Sequence, residues 1–199
     1  MGFFNLKQYN KVVRLAYGKS FYKFQAEVIN NEIGKEVLVV GAGNRGIISL
    51  LKEDRNYCLI EKSKVFSTQL KNQTQHKKEF QIINEDFFSW KPHQKFDLVI
   101  FPFFLDLFTR KEQQNIFLKT FKLLNDDGKV LIIDFEPPKS FLERIHIKLL
   151  YLLFRSLDGI TGEEIICPKS LNTEVLDSIE GLKSPFFRIK AYRVQPPKP

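Results

Sequence analysis

The stretch VLVVGAGNRG, Val37 to Gly46, runs from apolar residues of strand type into three glycines and then into a segment of helix type. Gly41, Gly43 and Gly46 are spaced G-x-G-x-x-G. Glycine lets the chain turn sharply at the end of a strand and lets a ligand approach the backbone. A helix that follows offers N–H groups without intrahelical partners. A plain strand–helix turn meets the same spacing, so the purpose of this one is decided by what surrounds it.

Outward from that turn, short apolar runs alternate with longer amphipathic ones. EVLVVGA reads as a first strand and NRGIISLLKE as the helix after it. YCLIEKS is a second strand, SKVFSTQLKNQTQ a polar surface helix, FQIINED a third strand and FDLVIFP a fourth. TRKEQQNIFLKTFKLL is a helix, followed by a turn at Asp127–Gly128 and the fifth strand KVLIIDF. Strands of this composition alternating with helices predict an α/β fold: a doubly wound, mostly parallel sheet covered on both faces. Residues 1–33 carry helix-like spacing interrupted near Gly18. After the fifth strand, SFLERIHIKLLYLLFR and NTEVLDSIEGL read as helices and FFRIKAYRV as a last strand. The direction of that strand is open from the residues alone; we expect an antiparallel edge strand. The expectation is one domain over 1–199, with a helical cap (1–34), a core (35–136) and C-terminal helices with the edge strand (137–199).

Composition narrows the class. The chain has 199 residues, 43% hydrophobic and 27% charged, which is globular rather than disordered. Its 31 basic and 23 acidic residues give a net charge of +8, which favours anionic partners without requiring one. Residues 1–26 hold five of the cations and no acid. Cys58 and Cys167 lie far apart and match no metal spacing, and the three histidines are scattered, so no metal site is expected. MGFFNL has neither a signal-peptide pattern nor the Ser or Thr of a myristoylation signal, and the longest apolar run is too short to span a bilayer. A cytoplasmic protein is expected.

Glu61 ends the second strand twenty residues after Gly41, where a carboxylate can accept from both hydroxyls of a ribose. A nicotinamide-dependent enzyme would show the same glycines and the same acid. Three features separate the cases. About 35 residues precede the first strand. Asp86 in NEDFF stands where it could bond the exocyclic amine of adenine. LLNDDGKVLIIDF makes a helix end, a turn and a strand.

With those motifs in hand, residues 35–136 resemble the core of the class I S-adenosylmethionine-dependent methyltransferases. VLVVGAGNRG resembles the family's first motif, CLIEKS the second, INEDFF the acidic adenine-binding motif, FDLVIFPF the fourth, and LLNDDGKVLIID the turn into strand five. The resemblance implies S-adenosylmethionine as cofactor. Gly41, Ala42, Gly43 and Gly46 would form its turn, with the first three along the methionine part. Glu61 would hold the ribose and Lys62 would lie beside the adenine. Asp86 and Phe87 would sit at the adenine edge and face, and Phe101 would line the floor near the sulfonium. NDDG departs from the family's Gly-Gly turn, Phe101-Pro102-Phe103-Phe104 replaces a polar fourth motif, and the family's final hairpin has room for one convincing strand.

Methyl transfer is an in-line displacement in which positioning supplies much of the acceleration. A hydroxyl or protonated amine acceptor would also need a base. Asp106, Tyr17 and Tyr22 are the candidates; Asp106 could equally cap the helix that begins near Thr109. His93 reads as a loop histidine and His146 as a surface partner of Glu143. The phenylalanines after the fourth strand suit a small, apolar, flat or lipid-like acceptor, and core packing could demand them too. LLYLLFRSLDGITGEE is loosely similar to the insertion of ubiquinone- and menaquinone-type methyltransferases. Phe141, Leu142, Ile145, Leu149, Leu152 and Leu153 form an apolar stripe opposite Arg144, Lys148 and Arg155. That pattern fits a helix packed on its own sheet first, and a peripheral membrane contact through 140–155 or a substrate lid after it. The basic, aromatic N-terminal segment fits a lid over the cofactor, or alternatively an RNA-binding surface or nucleic-acid methyltransferase. A non-catalytic cofactor-binding protein is the remaining alternative.

Overall fold

Val37, Leu38, Val39 and Val40 are buried in succession, which requires cover on both sides of the strand they form, β1 (Glu36–Val40). The structure, a computed structural model, describes residues 20–43, 45–158, 174–183 and 187–196. Tyr17, Cys167 and most of the basic aromatic N-terminal segment lie outside them.

β2 (Asn56–Ile60), β3 (Phe80–Ile83), β4 (Phe96–Pro102) and β5 (Leu124–Phe135) run parallel to β1 and to one another. β6 (Glu174–Lys183) and β7 (Arg188–Gln195) are antiparallel. The seven described strands form one sheet in the order β3-β2-β1-β4-β5-β7-β6. One face carries α1 (residues 20–30), α2 (Arg45–Ile48) and α3 (Lys64–Thr74). Phe21, Val28, Ile29, Ile47, Ile48 and Leu70 close there on Val37, Val39, Leu98 and Ile100. The other face carries α4 (Arg110–Leu123), whose Ile116 and Phe117 pack on Leu38, Val40, Val99 and Phe101. α5 (Phe141–Asp158) follows β5.

Local chemistry explains the boundaries. α4 starts on a capping box, in which the Thr109 hydroxyl accepts from Glu112 N–H and the Glu112 carboxylate accepts from Thr109 N–H. α1 ends on the Arg55 guanidinium, which donates to the carbonyls of Ile29, Asn30 and Glu32. Asp97 accepts from the amides of Lys35 and Glu36 at 2.8 and 3.0 Å and from the Asn125 side chain at 2.6 Å. It thereby clamps the entry ends of β1, β4 and β5.

Four expectations change. The helix after β1 is one turn long: the Asn30 side chain takes the Leu50 carbonyl and the Lys52 amide, which a longer helix would need for itself. The expected turn at Asp127–Gly128 is a bulge inside β5, with residues 125–128 standing against Asp97 alone. A side chain at Gly128 would meet Asn125 O at 2.9 Å and Phe96 O at 3.0 Å, so the bulge requires glycine. Most of the segment 172–182, expected to be helical, lies in β6, and β6 rather than the last strand is the edge. Two register shifts, at Val175/Asp177 and Glu180/Lys183, break the strand's alternation and space Val175, Leu176, Ile179 and Leu182 as a helix would. Finally, the described part of the apolar stripe of α5 does not pack on the sheet; the side chains of Leu152, Leu153 and Arg155 lie outside the described residues. Glu143 and Ile147 face inward, and Phe141, Leu142, Ile145 and Leu149 face out.

Candidate active site

The strand order reverses between β1 and β4, and the carboxyl ends of β1 to β4 open on one side there. In open α/β sheets ligands bind in that crevice. The sequence candidates of the core gather at those strand ends. Gly41 N–H and Ala42 N–H both donate to Ile60 O, at 2.9 and 3.3 Å, which ties the glycine turn to the end of β2. Gly41 holds a positive φ of 72°.

Glu61 follows β2 directly and is anchored by its own N–H on Ile83 O. Ser63 N–H fixes its Oε1 at 2.8 Å. Its Oε2 lies against the glycine turn: a Cβ at Gly43 would stand 3.2 Å from that oxygen and 3.5 Å from the Phe66 ring. Gly43 thus keeps open the space a side chain would fill beside a nearly buried carboxylate. That is the acceptor a ribose diol needs, and the residues present fit the adenosyl end of the expected cofactor.

Lys62 and Asp86 meet across the ends of β2 and β3 at 3.0 Å. Burial pushes the Asp86 carboxyl up, but the Phe88 N–H at 2.9 Å and the Lys62 ammonium outweigh it and hold it below its usual range. After Asp86 the chain folds over Lys119 of α4, whose ammonium donates to the carbonyls of Phe87, Phe88 and Trp90 and sits 4.9 Å over the Phe87 ring. Burial pulls the Lys119 ammonium below its ordinary range. No motif in the sequence pointed to Lys119. The sequence carries no clear signal for it, because the buried side of α4 holds Gln113 and Thr120 as well as Ile116 and Phe117.

The end of β4 departs most from expectation. Phe101 is fully buried beneath Phe104, with ring centroids 5.6 Å apart, so it lines no floor. Phe104 lies over it at the glycine turn instead: a Cβ at Gly41 would meet its Cδ2 at 2.6 Å. Phe103, at a positive φ of 52°, turns the chain so that its own ring stacks on Phe21 of α1 while the ring of Phe104 lies at the turn. Phe87, Phe88 and Phe108 complete an aromatic cluster around Phe104, with ring centroids 4.8 to 6.4 Å apart. The φ of Phe103, which decides which ring faces the glycines, is invisible in sequence.

Of the proton-transfer candidates, Tyr22 meets Phe21 edge-on and packs against the α1-side core. Asp106 does not cap α4, since Thr109 does. It is buried in a 3₁₀ turn (Leu105–Leu107), and its backbone N–H donates to the carboxyl of Asp134 at the end of β5. Asp134 also accepts from Phe135 N–H at 2.8 Å. Burial first, and the charge of Asp106 second, raise its pKa well above the usual carboxylate range. Sequence reading passed over Asp134 because an acid closing a buried strand looks like the start of a loop. His146 lies inward against Phe187, 6.1 Å between rings, and Glu143 pairs with Arg188 at 3.0 Å. Cys58 is a buried free thiol, pushed up to about 11 by burial. Among the described residues, no group of His, Cys, Asp and Glu is arranged to hold a metal ion, and no helix is long and apolar enough to cross a membrane.

No sequence-family profile and no curated protein sequence matches the chain. Solved structures do match it in fold. Mitomycin 7-O-methyltransferase MmcR superposes with a TM-score of 0.69 at 14% identity over 96% of this chain and 58% of its own. The magnesium protoporphyrin IX methyltransferase ChlM of Synechocystis, solved with bound S-adenosylhomocysteine, gives 0.64 at 15% over 98% and 90%. A S-adenosylmethionine-dependent methyltransferase of Clostridium acetobutylicum gives 0.62 at 14% over 94% and 98%. The chain spans 58% and 59% of the length of MmcR and LaPhzM. Strand order, antiparallel β7 and these superpositions together define the fold: it is that of the class I S-adenosylmethionine-dependent methyltransferases.

Proposed function

We propose that the chain is an S-adenosylmethionine-dependent methyltransferase for a small, apolar, flat or lipid-like acceptor. The observation that carries the reading is the Gly43–Glu61 pairing at the point where the strand order reverses. In this reading Glu61 accepts from the ribose hydroxyls, and Asp86, with Lys62 beside it, takes the exocyclic amine of adenine. Phe87 backs that edge. Gly41 and Ala42 run along the methionine part, with Phe104 rather than Phe101 closing the far wall. When bound, the cofactor supplies an electrophilic methyl group on its sulfonium.

The chain's own contribution is placement. The aromatic cluster of Phe87, Phe88, Phe104 and Phe108 presents an apolar surface beside the glycine turn, which favours a flat acceptor and excludes water from the transfer. For a hydroxyl or protonated amine, Asp106 is the residue we assign to take the proton, held in its turn by the bond from its N–H to Asp134. The fold neighbours include methyltransferases of mitomycin and of magnesium protoporphyrin IX by name, which supports the small-molecule reading.

The test is transfer of isotopically labelled methyl from S-adenosylmethionine to a panel of phenols, aromatic amines and isoprenoid quinols, with RNA and denatured protein alongside. Label in the small aromatic fraction, reduced about a hundredfold in kcat by Asp106→Asn at unchanged cofactor affinity, is the expected result. Label in RNA or protein would overturn the acceptor class, and binding without any turnover would overturn the assignment as an enzyme.

A further inference from the structure

The outward face of α5 is the most apolar exposed surface in the described chain. Of ten exposed large hydrophobic residues, four fall within nine positions there: Phe141 at 74% exposure, Leu142 at 51%, Ile145 at 41% and Leu149 at 60%. At ~100° per residue they share one stripe. The opposite side of the helix is already occupied. Glu143 caps its own helix by accepting from the amides of Lys139 and Ser140, at 2.6 and 3.2 Å, and binds Arg188. Ile147 is buried, and His146 lies against Phe187. The stripe is therefore not an inward face left loose; the fold spends the inward face on an ion pair and turns the apolar one out.

Charge identifies the occupant. Lys139, Arg144 and Lys148 are exposed. At ~100° per residue Arg144 and Lys148 border the stripe next to Phe141 rather than lying opposite it, the side Glu143 and Ile147 take. The one acid of residues 139–149, Glu143, is buried in its pair with Arg188. Glu136, the next acid before them, is held by the same arginine. The flank is thus wholly cationic on a chain of net charge +8. A second copy of this helix would bring cations to cations with no exposed acid of this segment to meet them. A standard protein interface also needs about 800 Å² per partner, more than one stripe of four side chains offers. An anionic lipid surface satisfies both features: the apolar side chains enter the acyl boundary and the cations meet the headgroups. No described helix can cross a membrane, so the helix would lie in the plane of the interface.

We infer that α5 docks the protein on anionic lipid bilayers through Phe141, Leu142, Ile145 and Leu149, flanked by Lys139, Arg144 and Lys148. This stands independently of the proposed transfer activity. The test is flotation of the purified full chain with vesicles of phosphatidylcholine alone and of phosphatidylcholine mixed with phosphatidylglycerol. The wild type is expected to bind the mixed vesicles at least about tenfold more tightly, with affinity falling as salt rises. Phe141→Glu with Leu149→Glu is expected to abolish binding. Arg144→Glu with Lys148→Glu should remove the preference for the anionic lipid. All four side chains are exposed, so circular dichroism and melting should match the wild type. Binding unchanged in the first double variant, or no binding by the wild type, overturns the inference. So does a dimer in light scattering that the Phe141→Glu/Leu149→Glu variant dissolves while the wild type ignores vesicles.

Discussion

Gly41 and Gly43 lack a side chain for different reasons. At Gly41 the backbone is left-handed and the Phe104 ring stands where a Cβ would go, 2.6 Å away. Gly41→Ala therefore collides with a ring packed on Phe101 and Phe108, and the melting temperature should fall by the equivalent of about 2 kcal/mol. At Gly43 the neighbour is the Glu61 oxygen at 3.2 Å, so Gly43→Ala moves a carboxylate and little else. Its stability should change by less than about 1 kcal/mol. Asp134 makes a separate prediction about pH. Its folded pKa is raised, by burial first and by Asp106 second, so the fold holds it neutral where the unfolded chain ionises it. That costs stability as pH rises above the unfolded value near 4, until the folded pKa is passed. Asp97 works in the opposite sense. Its carboxyl, held down by the Glu36 amide and its other partners, stabilises above about pH 4 and loses that contribution as pH falls. In melts of wild type and Asp134→Asn, the advantage of the variant should widen from pH ~4.5 to pH ~8; a difference independent of pH would contradict the assignment.

At the scale of elements, the third strand and the fourth helix act together. The loop from Asp86 to Trp90 is pinned by the Lys119 ammonium on three carbonyls, so α4 sets the geometry of a loop thirty residues away in sequence. Lys119→Met leaves those carbonyls without their donor. The expected cost is about 1–3 kcal/mol in chemical denaturation, together with weaker adenosyl binding, read in one preparation by both measurements. An equal loss of stability with unchanged affinity would separate the loop from the ligand. Elements whose own residues decide them were legible. The five parallel strands are runs such as Val37–Val40 and Leu98–Phe101, and the body of α4 follows from its own spacing, although its cap is Thr109 and not Asp106. What could not be read depends on partners. β6 imitates a helix because two bulges shift its alternation against β7. The inward face of α5 cannot be read from its own spacing, because its ion pair with Arg188 joins residues 45 positions apart.

For the whole molecule, the order β3-β2-β1-β4-β5-β7-β6 places the reversal between β1 and β4, and the glycine turn, Glu61, Asp86 and Phe104 come to one rim from four different strands. The motifs named that rim because each lies at the end of an apolar run, and strand ends survive in sequence. The residue at the glycine turn did not: the motif points to Phe101, which is buried beneath Phe104, and only the backbone at Phe103 brings the Phe104 ring to Gly41. The central claim is that this rim binds the adenosyl cofactor through Glu61 and Asp86. The most direct test is calorimetric titration of the chain with S-adenosylmethionine, S-adenosylhomocysteine and NADH, repeated with Glu61→Ala and Asp86→Ala. The account predicts micromolar binding of both adenosyl ligands, none of NADH, and a loss of about tenfold or more in each variant with its fold intact. Binding of NADH alone, of none of the three, or of the adenosyl ligands undiminished in both variants would contradict it.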